Sequence, residues 1–125
     1  YTRECSAEVY HHCFERAARA LKAGQSVVMD AVFARESERA PAATVALAAG
    51  VPFRGFWLGA SPDVLKARVA ARAADASDAT PDVVDKQLRY RLGDMRWQAT
   101  DASGSPEETL NRVRQMLRLE PAFPA

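Results

Sequence analysis

Asp30 stands at the far end of the apolar run Val27-Val28-Met29, in the stretch GQSVVMDAVF (residues 24–33). Open α/β sheets place their chemistry at the carboxyl ends of buried strands. An acid there can coordinate Mg²⁺, directly or through water, beside a nucleotide. It can equally be a helix cap or the solvated end of a core strand. Arg68 and Arg72 are spaced i, i+4 and so share one face of a helix. Two guanidinium groups on one face suit phosphate oxygens, through planar forked donors; a solvated face of an Arg-rich protein is the alternative. Arg39 falls in the first turn of the helix after Asp30, where the helix dipole favours acids rather than bases. That placement points to a ligand role, or to a surface ion pair with Glu36.

Other chemistries lack their residues. His11 and His12 are adjacent on a helix and point different ways, and no C-x-x-C accompanies Cys5 and Cys13, so zinc spacing fails. There is no G-x-S-x-G elbow, and both histidines sit on the first helix, so a Ser-His-Asp site has no support. No G-x-x-x-x-G-K-[ST] loop is present either. The net charge of +1, from 17 Lys and Arg against 16 Asp and Glu, gives no footprint for nucleic acid or anionic lipid. No apolar run approaches the roughly 18–20 residues of a membrane span, and no signal peptide is seen. Cys5 and Cys13 lie eight apart on one helix, too awkwardly for a disulfide, and free thiols fit a reducing cytoplasm.

The elements that must position these residues are marked by their caps. Ser61-Pro62-Asp63, Thr80-Pro81-Asp82 and Ser105-Pro106-Glu107 share one grammar: a hydroxyl cap, a proline in the first turn and an acid at the positive helix end. Residues 6–22 read as an amphipathic helix with Val9, Cys13, Ala17 and Leu21 inward, stopped at Gly24. Residues 27–29 read as a buried strand. Residues 37–49 read as a helix, with Pro41 tolerated in its first turn and Gly50 at its end. A strand over 53–58, helices over 62–74 and 81–92 around the polar turn 75–80, a short strand at 98–102 and a helix over 106–119 follow. Trp57 and Trp97 read as packing residues. Strands alternating with helices predict an α/β fold with parallel pairing, in one domain of 125 residues.

These segments together resemble small P-loop kinases of the gluconate-kinase and zeta-toxin type, including domains of the AAA-family ATPase kind. GQSVVMDAVFARESER resembles their third strand; FWLGASPDVLKARVAAR resembles the fourth strand and the Arg-x-x-x-Arg lid helix. DASDATPDVVDKQL and WQATDASGSPEETL resemble the lid exit and the last strand and helix. The resemblance is in particular to the kinase domain fused behind an aminoglycoside phosphotransferase-like domain in some bacterial proteins. It implies a three-layer P-loop NTPase-like parallel sheet, a lid over about 68–94, and ATP- and Mg²⁺-dependent phosphoryl transfer to a small-molecule acceptor in the cytoplasm. Asp30 would be the Walker B-like acid near Mg²⁺, Arg68 and Arg72 the lid arginines that stabilise the transferring phosphoryl group, and Arg39 an acceptor-side residue. Asp101, Ser103 and Gly104 would lie near the adenine.

The resemblance also places the family's first strand, phosphate loop and second strand ahead of Tyr1. The 125 residues by themselves are therefore expected to be a partial domain, to bind ATP weakly and to be inactive. In the family order 2-3-1-4-5 the lane between residues 27–30 and 53–58 would be empty, and strands sit about 4.8 Å apart. That lane must close, take a strand from a second copy, or hold a missing N-terminal segment. A non-catalytic, self-associating or regulatory binding module is the rival expectation.

Overall fold

The computed structural model describes residues 3–72 and 92–118. Within them the elements are α1 (Arg3–Lys22), α2 (Glu36–Ala49), β1 (Phe56–Gly59), α3 (Pro62–Ala71), β2 (Gln98–Asp101) and α4 (Pro106–Arg118). The helix expected over 81–92 and the turn over 75–80 fall outside the described residues, apart from Leu92, which is not helical. The chain divides into two units: residues 1–54 with 91–95, and residues 55–90 with 96–125.

In the first unit α1 packs on α2. The buried face of α1 keeps the expected Ala17 and Leu21, but toward the N-terminus it is built from Tyr10 and Phe14 rather than Val9 and Cys13. Val9 is 57% exposed and Cys13 is exposed, whereas Ala17 is buried and Tyr10 and Phe14 are half-buried. The reason is the aromatic ring: Tyr10 packs against Phe33 in a tilted contact, centroids 5.2 Å apart, and lies 6.3 Å from Phe14. Two large rings bury more apolar area than Val and Cys, so they set the phase of the helix. Gly24 (φ +85°) and Gly50 (φ +69°) end α1 and α2 in the left-handed conformation that glycine adopts without Cβ crowding. At α2 the Gly50 N–H donates to Leu47 O and the Val51 N–H to Ala46 O, the paired bonds of a Schellman stop. Helix α2 begins at Glu36, one residue earlier than expected, with Glu38 Oε1 accepting from the Arg35 N–H at 2.9 Å. Pro41 therefore lies in the second turn, and its missing N–H removes one interior helix bond.

The strand expected at 27–29 is absent: residues 25–30 form neither helix nor strand, and Val28 is 95% exposed. An apolar run becomes a strand only beside a neighbour that takes up its backbone groups, and among the described residues none pairs with it.

In the second unit β1 and β2 pair in parallel, with Phe56 opposite Gln98 and Gly59 opposite Asp101. The two strands expected over 53–58 and 98–102 thus form, shorter than expected, and they are neighbours. Bonds from Gln98 N–H to Gly55 O (2.9 Å) and from Ala102 N–H to Gly59 O (2.8 Å) bracket the ladder. Helix α3 starts where the Ser61 hydroxyl accepts from the Val64 N–H, with Pro62 in the first turn. Helix α4 starts where the Ser105 hydroxyl accepts from the Glu108 N–H at 3.2 Å, and it packs on β2. Gly55 is required by packing: a Cβ there would run into the Trp97 indole. The whole is a mixed helix and strand structure with a small parallel two-stranded sheet, consistent with an α/β P-loop-like domain.

Candidate functional site

The second unit gathers charge and a cavity at the carboxyl ends of its two strands. β2 ends at Asp101, and the chain turns sharply there. The Asp101 Oδ1 accepts from the Ser103 N–H at 2.9 Å and from the Ser103 hydroxyl. This is the short-range turn that aspartate builds with its own downstream backbone. Arg112 reaches back from α4, donating to Asp101 O at 2.8 Å and lying 3.5 Å from Oδ2. The Ser103 hydrogen bonds, then the Arg112 and Arg68 charges, hold the exposed Asp101 carboxyl below its ordinary value.

Arg68 enters the same place from α3. Its Nη2 donates to Gly104 O at 2.6 Å. Two of the expected segments, the Arg68 helix and residues 101–104, are therefore brought together by a direct bond. An open hollow of about 350 Å³ lies beside them, lined by Trp57, Gly59, Ala60, Ala99, Thr100 and Asp101. That volume is within the range of small-ligand sites. A second hollow of about 280 Å³, lined partly by Arg112, Gln115 and Met116, adjoins the same strand end. Arg72 follows as the exposed C-cap of α3, one turn beyond Arg68.

The other two expected residues lie in the first unit. Asp30 is exposed, at the end of the irregular segment 25–30. Among the described residues no three His, Cys, Asp or Glu side chains converge on a metal position. A Mg²⁺ ion, however, is commonly held by one or two carboxylates with waters and substrate phosphates. A single exposed carboxylate fits that mode. Arg39 is 3% exposed. Its Nη1 donates to Phe33 O (2.8 Å) and Ala34 O (2.9 Å), and its Nη2 to Leu92 O. A guanidinium placed against the helix dipole is thus accommodated by carbonyl oxygens.

The sequence alone does not single out Arg112 or Tyr10, and it reads Trp57 only as a packing residue. Arg112 had a faint signal: helical spacing puts it on one face of α4 with Met116, four residues on. Tyr10 had none, because its role depends on Phe33, 23 residues away, whose N–H donates to the Tyr10 hydroxyl at 2.8 Å. Burial pushes the Tyr10 phenol above its ordinary value, and the Phe33 hydrogen bond partly offsets this. Among the described residues no helix is long and apolar enough to cross a membrane.

Residues 1–92 match the family model described as AAA domain. No curated protein and no solved structure matches the chain.

Proposed function

Because the chain belongs to the AAA domain family, P-loop NTPase-like nucleotide-binding domains of kinase or ATPase type, we propose that it forms part of an ATP-dependent small-molecule kinase. The observation that carries this is the Arg68–Gly104 bond at the strand ends. It ties α3 to the 101–104 turn beyond the carboxyl end of β2, and the carboxyl ends of parallel strands are where such sheets bind ligands.

Asp101, Ser103 and Gly104 form the base side of the nucleotide site, with Trp57 offering an aromatic face to the adjoining hollow. Arg68 and Arg72 face the phosphates and stabilise charge on the transferring group. Asp30 supplies the carboxylate for Mg²⁺. When bound, the ion neutralises phosphate charge and orients the γ-phosphoryl group. The 125 residues contain no glycine-rich loop ending in Lys-Ser or Lys-Thr. The cradle for the β- and γ-phosphates comes from another segment of the protein or from a second copy, and the 125 residues alone are inactive. The acceptor is a small molecule, with no nucleic-acid or membrane partner, and the setting is cytoplasmic.

Titration with Mg²⁺-ATP tests the nucleotide site, read by tryptophan fluorescence in the full gene product. Quenching that saturates, and that Trp57→Phe removes, supports it. An unchanged spectrum at millimolar ATP, with no heat of binding by calorimetry, rejects it. The rival, a self-associating binding module without catalysis, would then gain ground if the protein elutes as a concentration-dependent dimer.

A further inference from the structure

We infer that Arg39 is a positioning residue for Asp30, acting through the backbone of residues 33–34, and that it does not touch the phosphate acceptor. The Asp30 part of this rests on the function proposed above; the anchor itself rests on geometry alone.

Phe33 is the key. It has φ +50° and is 4% exposed. A bulky residue keeps a left-handed backbone only where its surroundings over-determine it. Here its peptide groups are gripped from both sides. The Phe33 N–H donates to the Tyr10 hydroxyl at 2.8 Å, and the Phe33 carbonyl accepts from Arg39 Nη1 at 2.8 Å. The Phe33 ring packs against Tyr10 in a tilted contact, centroids 5.2 Å apart. The same Arg39 nitrogen holds Ala34 O, and the other terminal nitrogen holds Leu92 O. One planar fork therefore fixes the turn after Asp30 against a stretch of chain more than fifty residues later.

Only Ala31 and Val32 separate Phe33 from Asp30, and the three residue steps span at most about 10 Å. Anchoring Phe33 in both position and direction limits where the Asp30 carboxylate can go. Phosphoryl transfer depends on such placement, since the protein supplies mainly positioning and electrostatics. A ligand role for Arg39 would require it to leave a buried site and abandon three carbonyl oxygens, each costly to leave unsatisfied.

The experiment uses the full gene product with Arg39→Lys and Tyr10→Phe. Two quantities are read: exchange of the Phe33 amide by NMR, and hydrolysis of Mg²⁺-ATP to ADP and inorganic phosphate. In that hydrolysis water attacks the γ-phosphorus, the bond to the β–γ bridging oxygen breaks, and no acceptor is needed. Both variants should speed Phe33 exchange about tenfold. Both should lower kcat about tenfold with the KM for ATP within about twofold. Should Arg39→Lys fail to fold, Tyr10→Phe, which loses one hydroxyl and keeps its ring, gives the same two readouts. Unchanged hydrolysis overturns the proposal, because an acceptor ligand is idle when water is the acceptor. Slower hydrolysis with unchanged Phe33 exchange also overturns it, since Arg39 would then act directly on the chemistry. If the unmutated protein neither hydrolyses nor binds Mg²⁺-ATP, the proposed function falls with the Asp30 role; faster exchange in both variants still upholds the anchor.

Discussion

Arg39 and Arg68 are both arginines on helices, yet their surroundings differ. Arg39, in the first unit, is 3% exposed and bonded to the carbonyls of Phe33, Ala34 and Leu92. Arg68, in the second, is half-buried and donates to Gly104 O, in the turn that follows β2. A guanidinium has five donors in a rigid fork. Turned inward, it knits loops that lack regular hydrogen bonding. Left at a rim beside strand ends, it keeps donors within reach of a ligand. Residue type and helical spacing do not separate the two roles; burial does.

Substitutions can sharpen this contrast. The largest effect on folding is expected at Arg39: Arg39→Ala leaves three carbonyls unsatisfied and should cost about 3 kcal/mol in urea unfolding. A cost near zero would mean that the first unit does not depend on its arginine. Next comes Gly55→Ala, whose Cβ would run into the Trp97 indole. Overpacking of this kind costs about 1–3 kcal/mol, measurable as a lowered Tm. Arg68→Ala should cost only about 1 kcal/mol, the net worth of one hydrogen bond. Its turnover loss should be far larger, about a hundredfold, if Arg68 meets the transferring phosphoryl group. Equal and small losses in both measurements would make Arg68 a second structural arginine.

The smallest expected effect is electrostatic. The Ser103 hydrogen bonds, helped by Arg112 and Arg68, depress the Asp101 pKa below its ordinary 3.8. A carboxyl whose folded pKa is lowered adds stability above its unfolded pKa, and this is lost as pH falls through the folded value. The contribution is thus present at neutral pH and disappears below about pH 4. Asp101→Asn should remove only this group's share, so the difference in stability between the two proteins is present at neutral pH and vanishes in acid. Parallel curves for the two proteins would contradict it.

Much of the second unit was legible. Ser61 and Ser105 announced their helices because a cap is a local bond between residues three apart. The two strands that pair are aromatic or polar, and their neighbours in space lie about forty residues apart; only the resemblance indicated that they are adjacent. Residues 27–29 misled because apolar composition fixes burial preference, whereas a strand also needs a partner. In α1, Ala17 and Leu21 were placed correctly, but the choice between Val9 and Tyr10 depended on Phe33, which no helical period contains. Arg39 stands out in the sequence for its place against the helix dipole, which suggests a ligand or a surface pair with Glu36, whereas the structure buries it on backbone carbonyls. Its purpose could not be seen, because the carbonyls it serves lie in loops, one of them at Leu92.

The most direct test of the kinase proposal is transfer of the γ-phosphate of ATP in the full gene product, measured with and without Asp30→Asn. Asp30 is exposed and carries little of the fold. We therefore predict an unchanged Tm, with Mg²⁺-dependent turnover falling by about a hundredfold or more. Turnover that survives Asp30→Asn undiminished, or its absence from the unmutated protein, would contradict the account.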